Sequence, residues 1–168
     1  MLNGIGTMGL EIFEDLPDVD VIICPIGGGA GCASLLRVVQ AINPEVQIVG
    51  VQAAKAPAFS RSLEQGEWVV LDEADTIADG LAARSVFQLP YVIMKDHVKD
   101  VVLLNEDEVL EGIRLALGTT HNLAEGAGAA SLVAAVKIKE RLQGKKVVLV
   151  MSGGNLDRAQ LELALRQG

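Results

Sequence analysis

Two glycine clusters carry the chemistry most directly legible in this chain. Gly27-Gly28-Gly29-Ala30-Gly31 follows an apolar run at residues 21–26, and Ser152-Gly153-Gly154-Asn155 follows another at residues 147–151. Glycines at a strand-to-helix turn let the backbone double back sharply, bring N–H groups close to an anion and set the next helix N-terminus behind it. Residues 27–31 are therefore read as a phosphate cradle, against the plainer alternative of a tight turn. A dinucleotide site fits poorly. Cys32 stands where G-x-G-x-x-G needs its last glycine, no Walker lysine follows, and the next strand ends in Gln52 rather than an acid for a ribose.

Such loops work only if their strands end at one edge. Residues 21–26 open with β-branched types and lie between Asp18-Val19-Asp20 and the glycines, as for a central parallel strand buried on both faces. A helix at residues 32–42, a turn at Asn43-Pro44 and a strand at residues 45–52 complete a right-handed βαβ unit. Before it, residues 7–16 read as a helix that Thr7 can cap, ended by Pro17. After it, residues 58–63 read as a short helix and residues 66–71 as a minor or edge strand. A strand at 98–104 precedes Asn105, which can cap a helix with Glu108 reaching back as a capping box. An alanine-rich helix at 125–142, a strand at 145–151 and a helix at 156–167 follow. The expectation is one α/β domain over residues 1–168: a three-layer, open, mainly parallel sheet with helices on both faces. Both glycine turns then share its carboxyl edge, where open α/β sheets bind ligands.

Composition narrows the function. Half of the residues are apolar but only 3% are aromatic, so the core is aliphatic, and 168 residues suffice to bury one without a metal or disulfides. A net charge of −8 and no basic cluster longer than Lys145-Lys146 argue against nucleic acid. The apolar runs are too short to cross a bilayer, and Met1 opens no signal-peptide pattern. Two cysteines, Cys24 and Cys32, fit a reducing, cytoplasmic setting. Cys32 falls in the first turn of a predicted helix, where the dipole would lower its thiol pKa, although a small packed residue is the simpler reading.

The stretches GIGTMGLEIFEDLPDVDVIICPIGGGAGCASLL, VQIVGVQAAKAPA, TIADGLA, VLLNEDEVLEGI, LAEGAGAASLVAA and VVLVMSGGNLD occur in that order. In order and spacing they resemble the second half of threonine dehydratases and serine racemases, pyridoxal-phosphate enzymes of fold type II, nearly end to end. The resemblance implies that Gly27, Gly28, Gly29, Ala30 and Gly31 hold the phosphate of pyridoxal phosphate. It implies that the Ser152 hydroxyl, beside Gly153, hydrogen-bonds the pyridine nitrogen, which a neutral serine leaves unprotonated. Gly80 matches a backbone position beside the ring. Glu125 matches a carboxylate near it, or else serves only the dipole of its own helix. Asn155 and Asp157 are expected to shape the turn and cap the last helix.

Two departures qualify this. Relatives that hold a divalent cation use acids where this chain has Gln52 and Ala58, so no metal is expected there. The family's Schiff-base lysine and the loop that grips the substrate carboxylate are also missing from the matched stretches. Of the seven lysines, only Lys55 follows a strand onto the carboxyl edge, between Ala54 and Ala56, which offer no activating environment. The leading expectation is a truncated ammonia-lyase-like domain that binds at most the phosphate end of the cofactor, or a small phosphate anion. The alternatives are a non-catalytic oligomerisation module and one part of a split lyase. Surface that a missing half would cover should be apolar, which points to a homo-oligomer.

Overall fold

The computed structural model describes residues 2–166. Its centre is a four-stranded sheet, all parallel, in the order β3-β2-β1-β4. The strands are β1 (Val21–Pro25), β2 (Gln47–Ala53), β3 (Asp100–Leu104) and β4 (Val147–Leu149). Register places Ile22 beside Ile48 and Ile23 beside Val49. Because side chains alternate across a strand, the two pairs point to opposite faces. Ile22, Cys24 and Ile48 pack with α2 (Thr7–Asp15), α3 (Ala30–Ile42) and α5 (Gln88–Met94) through Phe13, Leu35, Val39, Tyr91 and Met94. On the other face, Val21, Ile23, Val49 and Val51 pack on Val109 of α6 (Glu106–Leu115) and on Ala127, Ala130 and Val133 of α7 (Gly126–Lys137). A further layer joins α6 and α7 to Ala164 of α8 (Arg158–Arg166). The remaining helices are the short α1 (Leu2–Ile5) and α4 (Ala58–Gln65). The architecture is the expected open parallel α/β sheet with helices on both faces.

Local chemistry explains several boundaries. Asn105 Oδ1 accepts the Glu108 amide at 2.9 Å and Glu108 Oε2 accepts the Asn105 amide at 2.8 Å, a complete capping box at the start of α6. Asn43 Oδ1 accepts the Glu45 amide at 3.2 Å, closing the turn between α3 and β2. Small residues let α6 and α7 approach, since a Cβ on Gly112 would stand 3.0 Å from the Ala129 carbonyl oxygen. Ser131 of α7 donates its hydroxyl to the Ile23 carbonyl at 3.0 Å and pins that helix to β1.

The structure corrects the sequence reading at four places. Gly6, not Thr7, is the N-cap residue of α2, and Thr7 instead donates its hydroxyl to the Gly4 carbonyl at 3.0 Å, tying α1 to α2. Residues 66–71 form no strand: Leu71 meets only Arg84, through one main-chain bond and one guanidinium bond, each 2.7 Å, so no ladder builds. The alanine-rich helix ends at Lys137, and the chain tightens into a 3₁₀ turn at Lys139–Leu142. The final helix begins at Arg158, and Gln167 lies outside the described residues. A π-turn at Ala116–Thr120 leading to His121 at φ +57° had no signature in the sequence.

Candidate functional site

The chain leaves β1 through α3 towards β2 and returns through α6 and α7 to β4 on the other side of β1. The strand order therefore reverses between β1 and β4, and a crevice opens beyond their carboxyl ends, as expected at a topological switch point. A cleft of about 250 Å³ occupies this place, lined by Pro25, Gly27, Gly28, Gly29, Ala30, Gly31, Gly80, Phe87, Glu125, Ala127 and Ser152. Residues as far apart in the sequence as Pro25 and Ser152 meet here because parallel strands bring their connections to one edge.

The glycine loop forms one wall. Gly29 is the N-cap residue of the 13-residue α3 and sits at φ +86°, a left-handed conformation that favours glycine. No side chain caps this helix, and its first intrahelical bond runs from the Ala33 amide to the Gly29 carbonyl at 2.9 Å. The amides of Ala30, Gly31 and Cys32 accordingly have no partner four residues back. Ala30 and Gly31 line the cleft, so two of these donors and the positive end of the helix dipole lie at it, which suits an anion. The loop also has no room for side chains. A Cβ on Gly27 would run into the Gly80 carbonyl, and one on Gly28 would stand 2.7 Å from the Phe87 ring. Gly31 faces open space.

The other walls come from three separate connections. Gly80 lies in a 3₁₀ turn, Asp79–Leu81, and a Cβ there would meet that of Ala127 at 2.6 Å. Glu125 precedes α7, but its side chain makes no capping bond. Its Oε1 instead packs against Gly153, where a Cβ would displace it, and stands in ordinary van der Waals contact, 3.5 Å, with the place a Cβ on Gly80 would take. Ser152 lines the cleft from the end of β4 and also borders an adjoining cleft of about 370 Å³ formed with Asn122, Leu123 and Gly153. All of the residues expected at the site except Gly153 therefore line one cleft. Gly153 stands behind it: its carbonyl accepts the Glu125 amide at 3.2 Å, and a Cβ on Gly128 would strike that same oxygen. Asp157 caps α8, its Oδ1 accepting the Gln160 amide at 2.7 Å, outside the cleft.

Phe87, like Pro25 and Ala127, is a lining residue that the sequence did not signal. It precedes α5, and its amide donates to the Gly28 carbonyl at 2.9 Å. A lone phenylalanine in a stretch without a motif carries no mark of this long-range contact.

Residues flanking the cleft do other work. Gln52, expected to replace a metal-binding acid, is fully buried. Its amide nitrogen donates to the carbonyls of Ile26 (3.2 Å) and Ala56 (3.4 Å), and its oxygen accepts the amides of Phe59 (3.0 Å) and Ser60 (2.9 Å). Ala58, the second of those positions, is buried in the first turn of α4. The Cys32 thiol is buried, and the Cys24 side chain beside it, with burial, pushes its pKa well above the ordinary value. This reverses the lowering anticipated from the helix dipole. Lys55 is exposed in the turn after β2 and does not line the cleft. Lys137 is spent on the Leu103 carbonyl (3.0 Å) and Glu108 (2.6 Å).

The chain has known counterparts. The family model for pyridoxal-phosphate dependent enzymes matches residues 1–153. The chain is 39% identical to an L-threonine ammonia-lyase of Thermotoga maritima over 168 residues, all of this chain and 42% of that protein. It superposes on the processed form of threonine deaminase isoform 2 from Solanum lycopersicum with a TM-score of 0.91 at 28% identity, covering 98% of this chain and 46% of that one. Maize serine racemase gives a TM-score of 0.88 at 28% identity, with 99% and 52% covered. The chain thus spans about half the length of the relatives it matches. Among the described residues, no helix is long and apolar enough to cross a membrane.

Proposed function

Since this chain belongs to the pyridoxal-phosphate dependent enzyme family, we propose that it is the larger, phosphate-binding domain of a threonine dehydratase-like enzyme, able to hold its cofactor but inactive when taken by itself. The observation that carries this reading is the glycine wall: a left-handed Gly29, three amides without helical partners, and a cradle at Gly27 and Gly28 that side chains would fill. That donor set fits a phosphate ester.

Bound pyridoxal phosphate would supply an electron-withdrawing ring, and the protein's task is to hold and orient it. The amides of Ala30 and Gly31, at the N-terminus of α3, would take the phosphate. Ser152, on the same cleft, would offer the ring nitrogen a neutral hydroxyl in place of a carboxylate. Gly80 would present backbone to the flank of the ring, and Glu125 would stand near it, packed on Gly153. Among the described residues no lysine lines the cleft, so on this reading the proton-transferring amine and the groups that read an amino acid would be supplied from outside this domain. Completed in that way, the site would carry out the ammonia-lyase reaction named for the relatives, on threonine or serine.

The same reading includes self-association. Trp68, Val70, Phe87, Leu89 and Val92 are 38–64% exposed, and the Trp68 indole N–H bonds the carbonyl of Val86, the residue before Phe87, at 2.9 Å. Apolar exposure of this kind calls for a cover, here a second copy. Sedimentation at micromolar concentration should show a dimer or larger species; a monomer would remove this part of the proposal.

The functional test is a titration with pyridoxal phosphate followed by borohydride, beside an assay for keto-acid release from L-threonine and L-serine. Reversible binding, no borohydride-fixed adduct and no keto acid are expected. An adduct on Lys55 with turnover would overturn the claim of inactivity.

A further inference from the structure

Gly80 walls the cleft from a segment with little support of its own. Among the described residues, positions 72–77 make no backbone–backbone hydrogen bond. Ile77 and Ala78 pack on the core, and the hydrogen bonds that tie this segment to other elements just before Gly80 come from two side chains that meet at one residue, Ile77. Glu106 Oε2 accepts the Ile77 amide at 2.9 Å, and Gln160 Nε2 donates to the Ile77 carbonyl at 2.9 Å. They come from two different helices, the first turn of α6 and the first turn of α8. The neighbouring Ala78 amide is held locally by Thr76 Oγ1 at 3.3 Å.

Glu106 is placed for this and for little else. It follows the Asn105 cap directly, where the dipole of α6 favours its charge. Its second oxygen, Oε1, is buried with no hydrogen-bond partner among the described residues. Leaving a carboxylate oxygen in that state costs free energy, which the helix N-terminus and the Ile77 amide offset. Three residues beyond Ile77, the Gly80 carbonyl lies where a Cβ on Gly27 would go, and Gly80 Cα rests on Ala127. A shift of the Ile77 peptide would therefore be transmitted to the spacing between Gly80 and the glycine loop.

We propose that Glu106 and Gln160 are positioning residues that clamp the Ile77 peptide from both sides and thereby fix Gly80 as a wall of the cofactor cleft. The proposal places α8, which touches no part of the cleft, in control of its width. It rests on the reading of the cleft as a pyridoxal-phosphate site, but its test does not depend on that reading alone.

Amide hydrogen exchange at Ile77, Leu81 and Ala82, whose amides are all hydrogen-bonded, measured without ligand, reads the clamp directly; pyridoxal phosphate affinity, by fluorescence titration, reads its consequence. Glu106→Ala should speed exchange at these three amides by about tenfold or more, the loss of a charge-assisted bond, while the amides of β1 and α3 keep their protection. Affinity should fall at least about fivefold in the same variant. Glu106→Gln, which retains an oxygen for the Ile77 amide, should recover most of both effects. Gln160→Leu, a milder change, should speed exchange at Leu81 and Ala82 with α8 still folded. Unchanged exchange at residues 77–82 in Glu106→Ala and Gln160→Leu would overturn the clamp. So would faster exchange spread evenly over the sheet, or a local opening that leaves affinity untouched. If the unaltered chain binds no pyridoxal phosphate, the functional reading fails, and the exchange data still decide whether the clamp exists.

Discussion

The ends of β1 and β2 are neighbours on one sheet edge and have opposite fates. Beyond β1, glycine leaves the backbone amides at the start of α3 without partners, and a cleft forms. Beyond β2, the Gln52 side chain bonds two carbonyls and two amides around it, and the edge is sealed. Both segments are parallel strand ends followed by helices. A strand end becomes a site when its donors are left unspent, and an amide side chain in the right place spends them. The two ends are also joined, because one of the carbonyls that Gln52 satisfies belongs to Ile26, directly before the glycine loop.

The largest effect should come from unsealing β2. Gln52→Leu strands four buried polar groups, and a loss of about 3 kcal/mol or more is expected in chemical denaturation. A loss below about 1 kcal/mol would mean that Gln52 is not the seal. Next is Gly27→Ala, whose new methyl enters the space of the Gly80 carbonyl. Overpacking of this kind costs about 1–3 kcal/mol, and a phosphate titration by calorimetry should lose its signal. Gly31→Ala sharpens the contrast, since its methyl meets nothing within the protein. Stability should stay within about 1 kcal/mol of the parent, while phosphate affinity drops because Gly31 lines the cleft and the substitution adds a methyl to its wall.

The smallest effect concerns the thiol between the two ends. Burial and Cys24 hold the Cys32 pKa above its unfolded value, so the unfolded chain gives up this proton first. The contribution to stability is complete below the unfolded thiol pKa, about 8.5, and declines as pH rises above it. Native protein at pH 8 should leave Cys32 unmodified by a disulfide reagent, with labelling only after unfolding; rapid native labelling would contradict the packing.

What the sequence disclosed follows the range of the interactions. The glycine turns, the Asn105–Glu108 capping box and the alternation of Ile22 and Ile23 depend on neighbours a few residues away, and their patterns are visible in the letters. Glu106 is legible as an acid at a helix start, yet its partner Ile77 is 29 positions distant, and that of Gln160 is 83. Phe87 over Gly28 is hidden for the same reason. Cys32 misled because local position argues for a lowered pKa, whereas the tertiary neighbour Cys24 and burial raise it. Residues 66–71 misled because apolar residues at strand spacing make a strand only where a partner strand exists.

The central claim is that the unspent amides at the start of α3 are the grip on phosphate. A titration of ¹⁵N-labelled protein with pyridoxal phosphate, followed amide by amide, tests it most directly. The largest shifts should fall on Ala30 and Gly31, be reproduced by inorganic phosphate and be absent with pyridoxal, which lacks the phosphate. Shifts centred elsewhere, or equal responses to pyridoxal, would contradict it.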